Sequence, residues 1–525
     1  MSATIAHSED WLDRPLFDLF ADAAARYPDK VALVDGPLAL SYADVAARVS
    51  ALAAEIATCT AAGAAVAVLL PHVAAQPVAV MACLAAGRVC LPLDAGAPAA
   101  RNAAVLATSG ACAVVMLADG HAVPFGGDLA PIIVRADGMP VRVGVERWSA
   151  CPASVRAPAL VLFTSGSSGT PKGIVLNQQA MTHQVLLDIG SCGLTPEDRY
   201  LAPLSPGTIS PLRRLCAAWA TGGTLHIVDV HRTGLGGVLA CLRDQRITIG
   251  AIFPSLLRAM VTLPAARAAF QALRVLRVGG EALDWAEVNA LRPVLVETCL
   301  ILFTYGSTEM SPVLEHRIGP GPHPQAGPVP SGWEMPRCDL ALVAPDGTPV
   351  SRGEAGEAVL RSRFMASGHW EGGCCVPGPF RPDPAAPAWR VFHTGDLLRQ
   401  RPDGAYDFMG RADQQVKIRG ARVEPAETEA FLRRQDAVAD AAVIAHGVGD
   451  AANLLAFVVP ADRALLAQSD PALPRLLRAA MAANLPAHQR PGRLLLIDRI
   501  PYLPSFKPDL AALRAQAAQA PPSRL

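Results

Sequence analysis

The chain has no surplus of charge: its 525 residues carry 46 Lys and Arg against 46 Asp and Glu. A general nucleic-acid binder shows a basic excess, so no nucleic-acid partner is expected. No apolar run is long enough to span a bilayer; residues 61–70 are short and alanine-rich, and no membrane partner is expected. The first eleven residues are polar and acidic, without a basic region leading into an apolar core, so a cytoplasmic chain without a secretion signal is expected. The 12 cysteines are scattered and form no C-x-x-C, although Cys374 and Cys375 adjoin. Free thiols are expected in place of a metal clip. Two catalytic signatures are also missing. There is no G-x-x-x-x-G-K-[ST] loop, which disfavours a P-loop kinase or ATPase. There is no G-x-S-x-G elbow around the serine-rich loop, which disfavours a serine hydrolase.

What is present centres on residues 162–177, LFTSGSSGTPKGIVLN. An apolar run over 159–163 predicts a buried strand, and a second run follows Lys172. Between them, Thr164, Ser165, Ser167, Ser168 and Thr170 offer hydroxyl donors and Lys172 a charge. Gly166, Gly169 and Gly173 let the backbone approach closely. A strand, a loop of bare amides and hydroxyls, and a strand suit a polyphosphate; an ordinary surface loop has the same composition. The length calls for more than one core. Upstream, the pattern predicts a helix closing at Tyr27-Pro28, a strand over 31–34, and a helix capped by Ser41 and running to about Ala57. It also predicts a strand over 64–70 and a helix ending at Gly87. A helix over 180–189 carries His183, read as a packing residue. Residues 371–389, rich in glycine and proline, predict a mobile loop. Alternating strands and helices imply layered α/β architecture.

The 162–177 loop resembles the signature of adenylate-forming enzymes, the superfamily of acyl-CoA synthetases, luciferases and nonribosomal peptide synthetase adenylation domains. Further stretches match in order: CLPLDAGAPAAR (90–101), IGAIFPSLLRAM (249–260), LRVGGEAL (276–283), FTYGSTE (303–309), HTGD (393–396), Gly410-Arg411, DQQVKIRG (413–420) and PSFKPD (504–509). The resemblance implies ATP and Mg²⁺ as cofactors. Thr164 to Thr170 and Lys172 would surround the phosphates, with Thr164 also catalytic. Gly280, Glu281, Gly306 and Ser307 would border the nucleotide, Tyr305 would stack near adenine and Thr308 would contact phosphate. Glu309 would hold Mg²⁺, since one carboxylate with phosphate oxygens and waters suits that ion. Asp396 would accept the ribose hydroxyls, with Arg411 beside it. The fold implied is a large N-terminal α/β domain of layered sheets and helices (1–412) and a small mobile α+β lid (413–525). Asp413 would be the hinge, Lys417 would face the second half-reaction, and Lys507 would be the catalytic lysine. Phe506 and Pro508 depart from the family pattern around it.

Relatives that activate α-amino acids place an aspartate where this chain has Ile209, so a carboxylic acid without a free α-amine is expected. Ser210, Arg213, Ala251, Arg277, Gly279, Thr304, Pro312 and Val313 would line the pocket with Ile209. An arginine in a dry pocket seeks an anionic or strongly polar group. That group is either on the substrate or on carboxylates of the chain itself. The peptide-synthetase style of PLDAGAP and DQQVKIRGARVEPAE points to the phosphopantetheine thiol of a carrier protein acting in trans as acyl acceptor, with coenzyme A as the alternative. A non-catalytic nucleotide binder on the same fold would have no need of Lys507.

Overall fold

The computed structural model of the protein describes residues 10–97, 99–118, 129–141, 154–164, 172–203, 207–310, 312–411, 416–418, 421–423, 425–447, 453–463, 465, 472–501 and 508–519. The chain divides into two compact units. One comprises residues 1–96, 103–163 and 173–410, and the other residues 97–102, 164–172 and 411–525.

In the first unit the local signals act as expected. The helix Leu16–Arg26 stops at Tyr27. Ser41 accepts the Asp44 N–H while the Asp44 carboxylate accepts the Ser41 N–H, and this reciprocal cap starts the helix Tyr42–Cys59. Gly87, at φ +65°, follows the helix Ala75–Ala85 in a left-handed conformation that glycine adopts without strain. All six residues of the strand Ala65–Leu70 are buried, as a parallel strand covered on both faces must be.

Among the described residues these strands assemble into three sheets. A nine-stranded sheet runs, edge to edge, through Trp333–Glu334, Leu314–Ile318, Leu300–Tyr305, Val275–Gly279, Ile249–Ala251, Arg199–Ala202, Thr224–Ile227, Val31–Asp35 and Leu38–Ser41. Its central strands are parallel, and direction reverses where Leu300–Tyr305 meets Leu314–Ile318. An eight-stranded sheet holds Pro158–Thr164 next to Lys172–Asn177. A five-stranded sheet is built on the long strand Ala386–Gln400.

Residues 371–389 contain the strands Cys374–Val376 and Arg381–Asp383, with Gly372 and Gly373 at positive φ making a tight turn. The glycines there punctuate short antiparallel pairs. His183 lies 5 % exposed on the helix Gln178–Cys192, its ring stacked 4.3 Å from Phe364. Burial, with Arg337 adding to it, pushes its pKa down to about 3, so it is a neutral packing group at physiological pH.

The second unit has its own core of Val423, Phe431, Leu432, Val443, Ala456, Val458, Leu477 and Met481. It contains the hairpin Val416–Ile418 and Ala421–Val423, the helix Pro425–Arg433, and a sheet of Val438–His446, Asn453–Pro460 and Arg493–Leu496. No helix among the described residues is long and apolar enough to cross a membrane.

Candidate active site

The parallel strands of the nine-stranded sheet bring Ala251, Gly279, Thr304 and Tyr305 to their C-terminal ends, where α/β sheets place ligands. Gly279 closes the strand Val275–Gly279, and Gly280 then turns at φ +85°. Glu281 follows, its carboxylate 3.8 Å from Arg258. Gly279 is fixed by its neighbour strand: a Cβ there would lie 2.6 Å from the Thr304 carbonyl oxygen.

One strand over, Leu300–Tyr305 ends on Tyr305, whose hydroxyl donates to the Asp396 carboxylate. The two residues stand 91 positions apart and belong to different sheets. Tyr305 is 8 % exposed and Asp396 7 %; the Phe408 ring lies 6.1 Å from that of Tyr305. The turn before Asp396 is held firmly. Thr394 donates to the Ala358 carbonyl, Gly395 N–H donates to Glu357, and Asp396 N–H donates to the Thr394 hydroxyl. An ionised carboxylate has about four acceptor sites, so Asp396 can serve Tyr305 and a diol together.

After Tyr305 come Gly306, Ser307 and Thr308, all partly exposed, and then Glu309, 4 % exposed, whose carbonyl accepts from Ala366 N–H. Among the described residues no three His, Cys, Asp or Glu side chains converge on a metal position. A single buried carboxylate suits Mg²⁺ carried by a nucleotide, since that ion keeps waters and phosphate oxygens in its shell. The donor set therefore fits.

Thr164 ends the strand Pro158–Thr164 and Lys172, exposed, begins Lys172–Asn177. Residues 165–170, Asp413 and Lys507 lie outside the described residues. Gly173 is required by packing: a Cβ there would come 2.7 Å from the Trp370 Cβ. Arg411 ends the strand Tyr406–Arg411, and Lys417 sits in the hairpin strand Val416–Ile418.

The acyl side of the site is where structure adds most. Ile209 and Ser210 open the helix Ile209–Thr221, which Gly222 closes at φ +83°. Ala251 ends its strand, and Pro312 and Val313 are buried, Val313 N–H donating to the Tyr305 carbonyl. Arg213 and Arg277 are each 2 % exposed and both hold carboxylates of the chain. Arg213 Nε donates to Asp188 at 3.0 Å, Arg277 pairs with the other Asp188 oxygen, and Arg277 Nη2 reaches Glu315 at 2.5 Å. Burial lowers the Arg213 pKa to about 10, so it stays cationic at neutral pH. The two arginines thus have internal counter-ions and make no demand for an anionic substrate. Sequence reasoning missed Asp188, Glu315 and Gln184. Gln184 stands one turn ahead of Asp188, is 1 % exposed, and has no hydrogen-bond partner for either amide atom among the described residues. The i, i+4 spacing from Gln184 to Asp188 on an apolar-flanked helix was the only available signal.

The chain is 29 % identical over 95 % of its length to tyrocidine synthase 3 of Brevibacillus parabrevis, of which it spans only 8 %. It is 29 % identical over 96 % of its length to an L-proline–[L-prolyl-carrier protein] ligase of Streptomyces coelicolor, covering 97 % of that protein. An artificially fused adenylation–PCP di-domain, NpsA-ThdA of Klebsiella oxytoca, shares the fold with a TM-score of 0.79 at 22 % identity, over 92 % of this chain and 93 % of that one. The AMP-binding enzyme C-terminal domain model matches residues 427–507. The AMP-binding enzyme model itself matches residues 20–370, well over half the chain, and on that match the chain belongs to the AMP-binding enzyme family.

Proposed function

We propose that the protein activates a carboxylic acid with ATP to an acyl-adenylate, releasing pyrophosphate, and then passes the acyl group to the phosphopantetheine thiol of a carrier protein acting in trans. The observation that carries this reading is the Tyr305–Asp396 hydrogen bond, which joins two sheets where the strand Leu300–Tyr305 ends, four residues before buried Glu309. A carboxylate is a poor acyl donor because oxide would have to leave. One carboxylate oxygen bonds to the α-phosphorus, the bond to pyrophosphate breaks, and AMP becomes the good leaving group. The attacking thiol then forms a thioester, loses its proton and expels AMP. Glu309 would hold Mg²⁺, which supplies charge compensation at the phosphates when bound. Asp396 and Arg411 would fix the ribose, Tyr305 the adenine, and Thr164, Lys172 and residues 165–170 the phosphates. Lys507 would stabilise negative charge building on the α-phosphate, and Asp413 would let the residues after it, Lys417 included, turn between half-reactions. Ile209, in place of an aspartate, supports an acid without a free α-amine.

The test is carboxylate-dependent ATP–pyrophosphate exchange over amino, hydroxy, keto, aryl, fatty and dicarboxylic acids. Lys507→Ala should lower the rate by roughly 10²–10³, the cost of one preorganised donor. Exchange that survives the substitution at full rate sinks the catalytic assignment. Acyl transfer to a holo-carrier protein against coenzyme A identifies the acceptor.

A further inference from the structure

We propose that Cys375 is a site of reversible mixed-disulfide modification by an uncharged aliphatic thiol, whose chain lodges in the cavity beside it. The cavity, about 260 Å³, lies where Val89 and Pro158 begin strands of the eight-stranded sheet, and Trp370 and Cys375 help to line it. No charged side chain lines it, and it is smaller than the roughly 300–1,000 Å³ of pockets for drug-sized ligands, so it suits a short, neutral chain. The hairpin fixes the thiol's place. Gly368–Glu371 pairs antiparallel with Cys374–Val376 across a turn with positive φ at both Gly372 and Gly373, a turn type that sets the register. Cys375 thereby stands directly opposite Trp370, and opposed residues project from one face of the sheet. The indole is a fixed wall: Trp370 is 6 % exposed, and its Nε1 donates to the Ser109 carbonyl at 2.7 Å. Cys375 itself remains exposed, so a reagent reaches it. Cys374 projects from the other face, since successive strand residues alternate, and it cannot close a ring with Cys375 while the strand stays paired.

The step is a thiol–disulfide exchange. The Cys375 thiolate attacks one sulfur of a small disulfide, a new S–S bond to the protein forms, the old S–S bond breaks, and the released thiolate takes up the proton that Cys375 gave up. One disulfide is consumed and one is made, so no further oxidant is needed. Burial pushes the Cys375 thiol up, with the Arg390 charge working against it. A thiol with a raised pKa leaves slowly, which prolongs the life of its adduct.

The test equilibrates the full chain with 2-hydroxyethyl disulfide and 2-mercaptoethanol, quenches with acid and maps adducts by peptide mass. Cys59, exposed at the end of the helix Tyr42–Cys59 and no part of the cavity lining, is the internal reference. The exchange constant at Cys375 should exceed that at Cys59 by roughly tenfold, the worth of burying the two methylenes of the adduct. With oxidised and reduced glutathione, whose charges the cavity does not match, the margin should shrink. Ala157→Leu, which fills the cavity from its far wall, should abolish the margin and leave Cys375 accessible. Equal constants at Cys375 and Cys59 with the hydroxyethyl reagent overturn the proposal. So does a margin that Ala157→Leu leaves intact, or a loss of two hydrogens from the peptide holding Cys374 and Cys375 in place of an adduct. Should Ala157→Leu fail to fold, the comparison of Cys375 with Cys59 in the unsubstituted protein decides alone. None of these readouts depends on the adenylation reading.

Discussion

Replacing Arg277 by alanine should be one of the most damaging single changes in the larger unit. Arg277 is 2 % exposed, and its partners Asp188 and Glu315 are 4 % and 8 % exposed. Its loss leaves Asp188 facing Arg213 alone and Glu315 facing Arg317, whose side chain is 52 % exposed. Breaking a buried pair from one side costs about 3–5 kcal/mol, because the remaining charge stays out of water without compensation. Arg317→Ala removes a 3.2 Å contact at the rim of the same cluster and should cost at most about 1 kcal/mol. Both changes delete a guanidinium bonded to Glu315, one buried and also holding Asp188, the other at the solvent edge. Urea unfolding at pH 7, followed by tryptophan fluorescence, reads both; Trp219 is fully buried in the same unit. Glu315→Gln and the double variant complete a cycle, with a coupling of roughly 0.5–3 kcal/mol expected. Arg277→Ala falling within experimental error of Arg317→Ala, or a coupling of zero, would refute the reasoning that the cluster is a closed, desolvated unit.

Three further outcomes follow from the geometry. Asp396→Asn should raise the KM for ATP by roughly 10- to 100-fold, the worth of a charged hydrogen bond; an unchanged KM in the exchange assay removes Asp396 from the nucleotide site. His183 and His226 are held neutral by burial, at about 3 and about 4, while unfolded histidine titrates near 6.5. Because the folded values are depressed, their stabilisation is complete above roughly pH 6.5 and is lost as the pH falls towards those values. His183 alone contributes up to about 5 kcal/mol to that loss. His183→Gln should therefore flatten the unfolding midpoint against pH between about 6.5 and 4, and an unaltered slope contradicts the assignment. Gly279→Ala should cost about 1–3 kcal/mol, because its methyl would meet the Thr304 carbonyl oxygen at 2.6 Å; a variant with native stability and exchange argues against that close approach.

Much of the frame was legible because its signals are local. Ser41 with Asp44 announces a helix start within four residues, and the all-apolar Ala65–Leu70 announces a buried strand. Tyr305 and Asp396 were singled out by short motifs whose order along the chain matched a known pattern, and the structure brings these two side chains together. What sequence could not supply was the partnering of charges. Arg213 meets Asp188 across 25 residues and Arg277 meets Glu315 across 38, and no local pattern marks either pair. The arginines alone suggested an appetite for an anion; the fold had already satisfied it. Residues 371–389 failed for the opposite reason, since their glycines and prolines signal turns and are silent about the three-residue strands between them.

On the proposed reaction, the hydrogen bond from Tyr305 to Asp396 would also make the nucleotide a reporter of sheet alignment. Tyr305 moves with the nine-stranded sheet and Asp396 with the five-stranded one. The seam between those sheets is stitched elsewhere by Tyr406, whose hydroxyl donates to Glu334 at 2.7 Å and whose backbone pairs with Ser331 and Gly332. A ligand gripping both Tyr305 and Asp396 reads the spacing that this distant stitching sets. Loosening Tyr406 should thus weaken ATP through misregistration, in a residue that need never touch the nucleotide.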